Sequence, residues 1–507
     1  MKRSWNAVLL SLSLTFVPTI AWSEASENAS EAEKPSVTVI EEKLEELLPD
    51  LTQEEYAYLA TLMEADQHYQ AGKKEEAIAL YQKAKPDFSS QTSNSTRKPY
   101  TDLADLPPDG KVYWGYGEAE FNPKLQSKTL APLELLVEKH PSFIPGHLRY
   151  AEALVYFDQT EAAIEHLESA VSRYPRELTL VEAILPLYEE NEQWLNASLT
   201  ARQFALLNTE HSQAEYYSTL ADQHLETYER KLRISLRENA FASIVTGALG
   251  FALTGSLAGP LSAIETTALL LQGESVVGNR ISNRLEDNLP LLEDEEVQAY
   301  VTNIGQTVTQ YAGRDSFDYE FHIIMDENLN AFALPGGKVF INAGAILKTK
   351  SEAELAGLIA HEISHAVLSH GFQLVTEGNV LANVSQFIPY GGTAANLIVL
   401  NYSRVMERQA DALGTRLLAS SKYAADGVYN LMVTLEEENQ ARSRPPVWLS
   451  THPNTEERVK NLEAEILENG YDRYRYEGIS RHLQMQEKTA RLLAEYQAQE
   501  GDEDSED

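Results

Sequence analysis

The stretch SEAELAGLIAHEISHAVLSH, from Ser351 to His370, constrains this chain more than any other. It predicts one helix. Ser351 can cap its start, and Glu354 can reach back to close a capping box. Only Gly357 interrupts it, at a cost of about 1 kcal/mol against Ala. Leu355, Leu358, Ile359, Ile363, Ala366 and Val367 supply a broad apolar face. Within it sits HEISH. Four residues turn a helix by about 400°, so His361 and His365 lie one above the other. Two neutral imidazoles so placed can share a tetrahedral ion. Glu362 is one residue further round and can act on a water at that ion.

A catalytic site of this kind needs a third protein ligand and an open fourth position. The segment NYSRVMERQADALGTRLLA, Asn401 to Ala419, again has helical character. Glu407 and Asp411 are four apart and share a face. Glu407 can complete a His, His, Glu set. Asp411 can accept the free ring N–H of a ligating histidine and fix its tautomer. The competing reading of Glu407 is a surface pair with Arg404 or Arg408. His370 falls about 180° from His361 on a straight helix. It reads as a helix C-terminal histidine, with Gly371 as the stop.

Upstream, FDYEFHII alternates Phe317, Tyr319, Phe321 and Ile323, the pattern of a half-buried strand. Pro335, Gly336 and Gly337 predict a turn, and Val339 to Ile341 another short strand. A strand edge beside a metal cleft can hold an extended peptide through its main chain. A plain hairpin fits the same residues.

HEISHAVLSHG, YSRVMERQAD, NAFALPGGKVFI (Asn330 to Ile341) and STHPNTEER (Ser450 to Arg458) occur in an order that resembles the HtpX- and BepA-type zinc metallopeptidases. These are gluzincins, with HExxH followed by ExxxD. The resemblance covers about residues 291–469. It implies one Zn2+ per chain on His361, His365 and Glu407, with Glu362 as general base and Asp411 behind the ligands. It implies His452 of the THP motif near the metal, as a switch or transition-state ligand. It also implies Asn330 and Ala331 as binders of the substrate backbone.

The chain of 507 residues is long enough for several domains. Its formal charge of −36 opposes nucleic-acid binding, which requires a basic face. The absence of cysteine excludes thiol catalysis, cysteine zinc sites and disulfides. Lys2 and Arg3, an apolar run from Ala7 to Ile20 and small residues to Ala25 predict a secretory signal peptide over 1–23. An acidic lead-in follows over 24–50. Export of a cysteine-free metalloenzyme suggests a periplasmic location.

Over 51–237 the text is helical with a weak repeat. Ala65, Gly72, Ala77, Tyr81 and Ala84 follow tetratricopeptide spacing, as do Ala151, Ala163, Leu167, Ala170 and Pro175, and Ala197 lies one period of 34 after Ala163. Such hairpins stack and leave a concave groove, although ordinary helical hairpins give the same text. Ser89–Thr96 and Asp102–Gly117 read as a loop or irregular insert. A Gly/Ala-rich connector spans 238–290. Its charge-free part, Ser243 to Ile264, suits a buried or interfacial helix pair better than a membrane span, and membrane association through it stays open. Phe387 to Leu400 forms a second apolar patch, suited to a lid or to packing. The end, 471–507, reads as a charged helix with a disordered acidic tail from Asp502.

The expected fold is mainly α: an N-terminal tetratricopeptide-like array, then an α+β zincin-type metallopeptidase domain over 291–470 with a small sheet. The expected activity is a zinc endopeptidase of the bacterial envelope. By the resemblance, its substrates are misfolded or stalled envelope and outer-membrane proteins, with an outer-membrane assembly machine as a further partner for the repeats. The alternative is a chaperone or assembly scaffold with latched or secondary proteolysis. Repeats ahead of the peptidase domain depart from BepA-type proteins, in which they follow it.

Overall fold

The computed structural model describes residues 52–88, 98–119, 121–238, 272–376, 402–441, 447–452 and 456–506. The signal peptide and lead-in, the loop Ser89–Thr96, the stretch Ser243–Ile264, the patch Phe387–Leu400 and Pro453–Thr455 lie outside them. Among the described residues no helix is long and apolar enough to cross a membrane.

The first half is helical hairpins. α1 (Gln53–Gln70) starts at Thr52, whose hydroxyl accepts from Glu55 N while Glu55 accepts from Thr52 N, closing a capping box. α2 (Lys74–Ala84) returns through Gly72. There follow α3 (Pro108–Gly117), α4 (Gln126–Lys139), α5 (Ile144–Tyr156), α6 (Thr160–Arg173), α7 (Leu178–Glu190), α8 (Trp194–Leu207) and α9 (Ala214–Glu238). The turns α1–α2, α5–α6 and α7–α8 share one geometry. Gly72, Asp158 and Glu192 take φ of 74°, 58° and 57°. In each turn the next N–H reaches five residues back, from Lys73 to His68 O, Gln159 to Leu154 O and Gln193 to Tyr188 O. Ala77, Ala163 and Ala197 are fully buried where paired helices touch.

Two expectations need correction here. Asp102–Gly117 is not irregular: Asp102 caps a short 3-10 turn, Leu103–Asp105, and Pro108 at its first position opens α3. Nor do the hairpins form one continuous stack. The buried side of α1–α2 packs on Ile479 and Leu483 of the C-terminal helix. Polar anchors fix that position. Asp66 accepts from Tyr81 Oη at 2.6 Å, Glu477 N at 2.8 Å and Ile479 N at 2.9 Å. The ammonium of buried Lys85 donates to Asp426 Oδ1 at 2.8 Å and Arg473 O at 2.6 Å, and pairs with Glu477. Lys85→Met leaves Glu477 buried without its cation, while Asp426 keeps Arg473. It is expected to cost about 3–5 kcal/mol, read from denaturant unfolding.

The second half packs helices on a small sheet. α10 (Glu274–Glu286) and α11 (Glu295–Thr309) precede β1 (Glu320–Ile324), β2 (Ala331–Leu334) and β3 (Lys338–Asn342). The order is β1-β3-β2, with β1 parallel and β2 antiparallel to β3, so β2 is an edge strand. Gly336 and Gly337 make the β2–β3 turn at φ of 80° and 95°, a region that favours glycine. α12 (Ala343–Lys348) leads to α13 (Glu352–Val367), and α14 (His370–Thr376) follows directly. Then come α15 (Arg404–Ser420), α16 (Gly427–Ala441), α17 (Val447–Thr451), α18 (Glu456–Glu468) and α19 (Ile479–Glu506). Helix therefore continues through the acidic residues expected to be disordered.

Every residue of α13 is buried, on its polar faces too. It runs between β2, α11, α15 and α16 at the centre of the domain core. Gly357 is explained by that position. A Cβ there would lie 2.5 Å from the Gly427 carbonyl carbon, so α16 can cross closely only over glycine. The helical array meets this domain through α6 and α8, which pack on α15. Arg408 donates to Ser172 Oγ, and Gln409 to Gln203.

Candidate metal centre

α13 sets the first half of the site. Ser351 Oγ accepts from Glu354 N at 3.0 Å, and the Glu354 carboxylate accepts from Lys350 N rather than Ser351 N. With the start fixed, His361 and His365 fall on the side facing α15. Their Nε2 atoms are 3.1 Å apart. Ser403 caps α15 and orients Glu407 toward them. Glu407 Oε2 lies 3.6 Å from His361 Nε2, and Oε1 lies 3.5 Å from His365 Nε2. Ligands of a tetrahedral ion with bonds of about 2.0–2.2 Å stand roughly 3.3–3.6 Å apart, so the two carboxylate distances fit one and the two imidazoles stand slightly closer than it needs.

Their protonation suits a metal as well. Burial holds His365 well below the ordinary histidine range, so its imidazole is neutral. Burial alone would raise the Glu407 carboxyl, but His452 and Arg458 beside it hold it well below the usual carboxylate range. The same competition between burial and Arg458 lowers Asp411. Metal ligands must be deprotonated, and the shifts at His365 and Glu407 run in that direction.

Asp411 Oδ1 lies 3.1 Å from His361 Nδ1, the contact its position in α15 predicts. Glu407 does not pair with Arg404 or Arg408. Its cation is Arg458 from α18, which also grips Asp411 with two bonds of 2.7 and 2.8 Å. The motif STHPNTEER contains Arg458, but nothing in its spacing pointed to these partners.

His452, one residue past α17, does reach the cluster. Its Nδ1 stands 2.9 Å from Glu407 Oε1 and 3.4 Å from His361 Nε2. His361, His365, Glu407 and His452 thus bring their ligand atoms within 4.8 Å of one another. Trp448, one turn earlier, stacks on His452 with ring centres 4.3 Å apart. Its indole N–H donates to Glu362 Oε1 at 2.9 Å. Glu362 Oε2 has no hydrogen-bond partner among the described residues. Tyr402 stacks on His365 with ring centres 3.8 Å apart. Trp448 and Tyr402 had no signal in the sequence, because nothing local places an aromatic ring over a distant imidazole. With these rings in place, Glu362, His361 and His365 are at most 1% exposed.

The reading of His370 as a helix-end residue is overturned. Ser369, at φ 52°, breaks the helix after Leu368, and α14 starts at His370 with Gly371 inside it. The break swings His370 back toward the metal side. Its Nδ1 lies 2.9 Å from His365 Nδ1, and burial pushes its pKa down to about 3. Arg314 holds the break by donating to Val367 O and Ser369 Oγ, while Glu274 pairs with Arg314.

Of the substrate-binding candidates, Ala331 opens the edge strand β2, which packs beside α13. The Asn330 carbonyl is committed to the sheet, accepting from Asn342 N at 3.0 Å.

Glu407→Gln keeps the shape of this centre and weakens its charged ligand. The purified variant is expected to lose metal to a chelator that leaves the parent loaded, read by elemental analysis.

The helix pair α13–α15 holds HExxH and ExxxD on facing sides beside an edge strand, the arrangement of a metallopeptidase domain. Residues 295–466 match the model of peptidase family M48. The chain is 28% identical over 257 residues to the "Putative beta-barrel assembly-enhancing protease" of Vibrio cholerae, covering 46% of this chain and 52% of the relative. It is 25% identical over 254 residues to the "Beta-barrel assembly-enhancing protease" of Escherichia coli (strain K12), covering 45% and 52%. With the "Mitochondrial metalloendopeptidase OMA1" of Arabidopsis thaliana it shares 29% over 241 residues, 45% and 48%. The chain spans about half the length of these relatives.

Proposed function

We propose that this chain is a zinc-dependent endopeptidase. The observation that carries the reading is the convergence of His361, His365 and Glu407 beside the buried carboxylate of Glu362. These three residues would hold the ion. A zinc ion bound there supplies Lewis acidity to the scissile carbonyl and makes a neighbouring water acidic. Glu362 takes the proton of the attacking water and delivers it to the leaving amine. Asp411 keeps the His361 proton on Nδ1, leaving Nε2 for the metal. Ala331 offers the β2 edge to an extended substrate. His452, with Nδ1 at 2.9 Å from Glu407 Oε1, would compete for the ligand set and so acts as the switch, while Trp448 holds one oxygen of Glu362 and leaves the other for a water. Movement of α17 therefore opens the site.

We assign the protein to the bacterial envelope, where it degrades misfolded or stalled envelope proteins. The signal-like N-terminus and the relatives named beta-barrel assembly-enhancing proteases support the location, and the resemblance supplies the substrate class. The hairpins α5–α6 and α7–α8, with equivalent turns 34 residues apart at Asp158 and Glu192, support a tetratricopeptide-like array that presents clients.

The test uses the chain from residue 24. It should bind one zinc, cleave casein, lose cleavage to a chelator and regain it with added zinc. A chain that carries no transition metal, or one that cleaves after complete chelation, refutes the reading.

A further inference from the structure

A second group of side chains with metal-ligand chemistry lies away from the centre between α13 and α15. Glu286, Glu320 and His322 bring one carboxylate or ring atom each within 4.8 Å of one another. β1 explains how. Its alternation buries Phe321 and Ile323 on one face and puts Glu320 and His322 on the other. There Ile281 and Leu285 of α10 pack on the sheet with Phe340 and Phe332. His322 pairs in register with Phe340, and Phe340 with Phe332. The three rings stack across the sheet, with centres 4.7 and 5.2 Å apart. That stack fixes the plane of the imidazole. Its Nε2 is buried and has no hydrogen-bond partner among the described residues. It stands 3.7 Å from Glu286 Oε1 and 3.6 Å from Glu320 Oε2.

Those separations are too long for a hydrogen bond, which needs about 2.7–3.2 Å. They come close to the roughly 3.3–3.6 Å between two donors of one ion. The carboxylates are prepared for such an ion. Ser282 Oγ donates to Glu286 Oε1 at 2.7 Å, the kind of outer bond that orients a ligand. Glu286 also closes α10, where the negative end of the helix favours a cation. Lys338 bonds Glu320 through Oε1, which leaves Oε2 facing His322. Exposures of 34% at the Glu286 side chain and 43% at that of Glu320 give water access to complete the coordination. An imidazole with two carboxylates suits a first-row transition ion better than calcium or magnesium. We propose that Glu286, Glu320 and His322 form a second metal site, taking zinc or a similar divalent ion, that staples the end of α10 to β1. α10 in turn braces the β2–β3 turn: a Cβ on Gly278 would lie 1.6 Å from the Pro335 carbonyl oxygen. The site is half-open where the α13–α15 centre is buried, so its ion leaves on desalting and the other stays.

The test is equilibrium dialysis of the chain from residue 24 against saturating zinc, with bound zinc read by elemental analysis. Excess magnesium fills bare carboxylate clusters, which lack a nitrogen donor. The parent should hold two equivalents and keep one after desalting. His322→Phe keeps a ring on Phe340 and removes the donor, so it should hold one equivalent. Glu286→Gln still accepts from Ser282 and should need more zinc to take up the second ion. His361→Phe should hold one equivalent and lose it on desalting. Thermal unfolding of the metal-free forms checks that each variant is folded, and saturating zinc should raise the midpoint of the parent more than that of His322→Phe. A parent that holds only one ion at saturation overturns the site. So does a folded His322→Phe variant that takes up as many ions as the parent. A failure of the α13–α15 centre is read separately, as a His361→Phe variant that loses no ion.

Discussion

Glu362→Gln is expected to lower peptide hydrolysis by about 10²–10⁴-fold, the usual loss on removing a general base, with the metal content unchanged. Glutamine has the same shape and still accepts from Trp448 through its carbonyl oxygen. What it cannot do is take a proton from water. The metal set of His361, His365 and Glu407 does not include this residue, so zinc should stay. The substitution also removes a buried charge, so thermal stability should hold or rise. Casein or a quenched peptide gives the rate, elemental analysis the metal. Near-normal turnover in the variant would remove Glu362 from the mechanism. If the variant also restores an envelope defect in cells as well as the parent does, the helical array and not proteolysis is the working part.

Arg458→Met is expected to carry a large cost in folding. Arg458 is 3% exposed and contacts both acidic groups of α15. Removing it leaves Glu407 and Asp411 buried without their guanidinium, a loss of about 3–5 kcal/mol. The cost should be greatest in the metal-free protein, where no other cation neutralises them. Adding Asp411→Asn to Arg458→Met should recover part of the loss, because one of the stranded charges is gone. Chemical unfolding of the metal-free forms measures both. A double variant no more stable than the single one would show that Arg458 acts by packing, not by charge.

These two residues show where legibility ended. HEISH could be read because a four-residue spacing in a helix is local geometry, independent of everything else in the chain. The Glu407–Asp411 pair was readable for the same reason, and its assignment to the metal came from motif order. Strand β1 followed from alternation at Phe321 and Ile323, and the β2–β3 turn from Pro335, Gly336 and Gly337. His370 was misplaced because its position was projected along a straight helix. The turn at Ser369, held by Arg314 and Glu274 from two other segments, redirects it. The first hairpin was assigned to the array because its own spacing fits a repeat. Its partner, however, is α19, roughly four hundred residues later, chosen by Asp66 and Lys85 finding their bonds there.

The chain by itself therefore determined most of the elements and the residues proposed as ligands, since capping, period and turn chemistry act within one or two turns of backbone. The tertiary fold decided what stands around them: that α13 is buried on every side, that Trp448 and His452 close over Glu362, and that Arg458 neutralises the carboxylates. Those choices depend on which buried charges and rings must be satisfied by groups far away in sequence, and no local pattern encodes that.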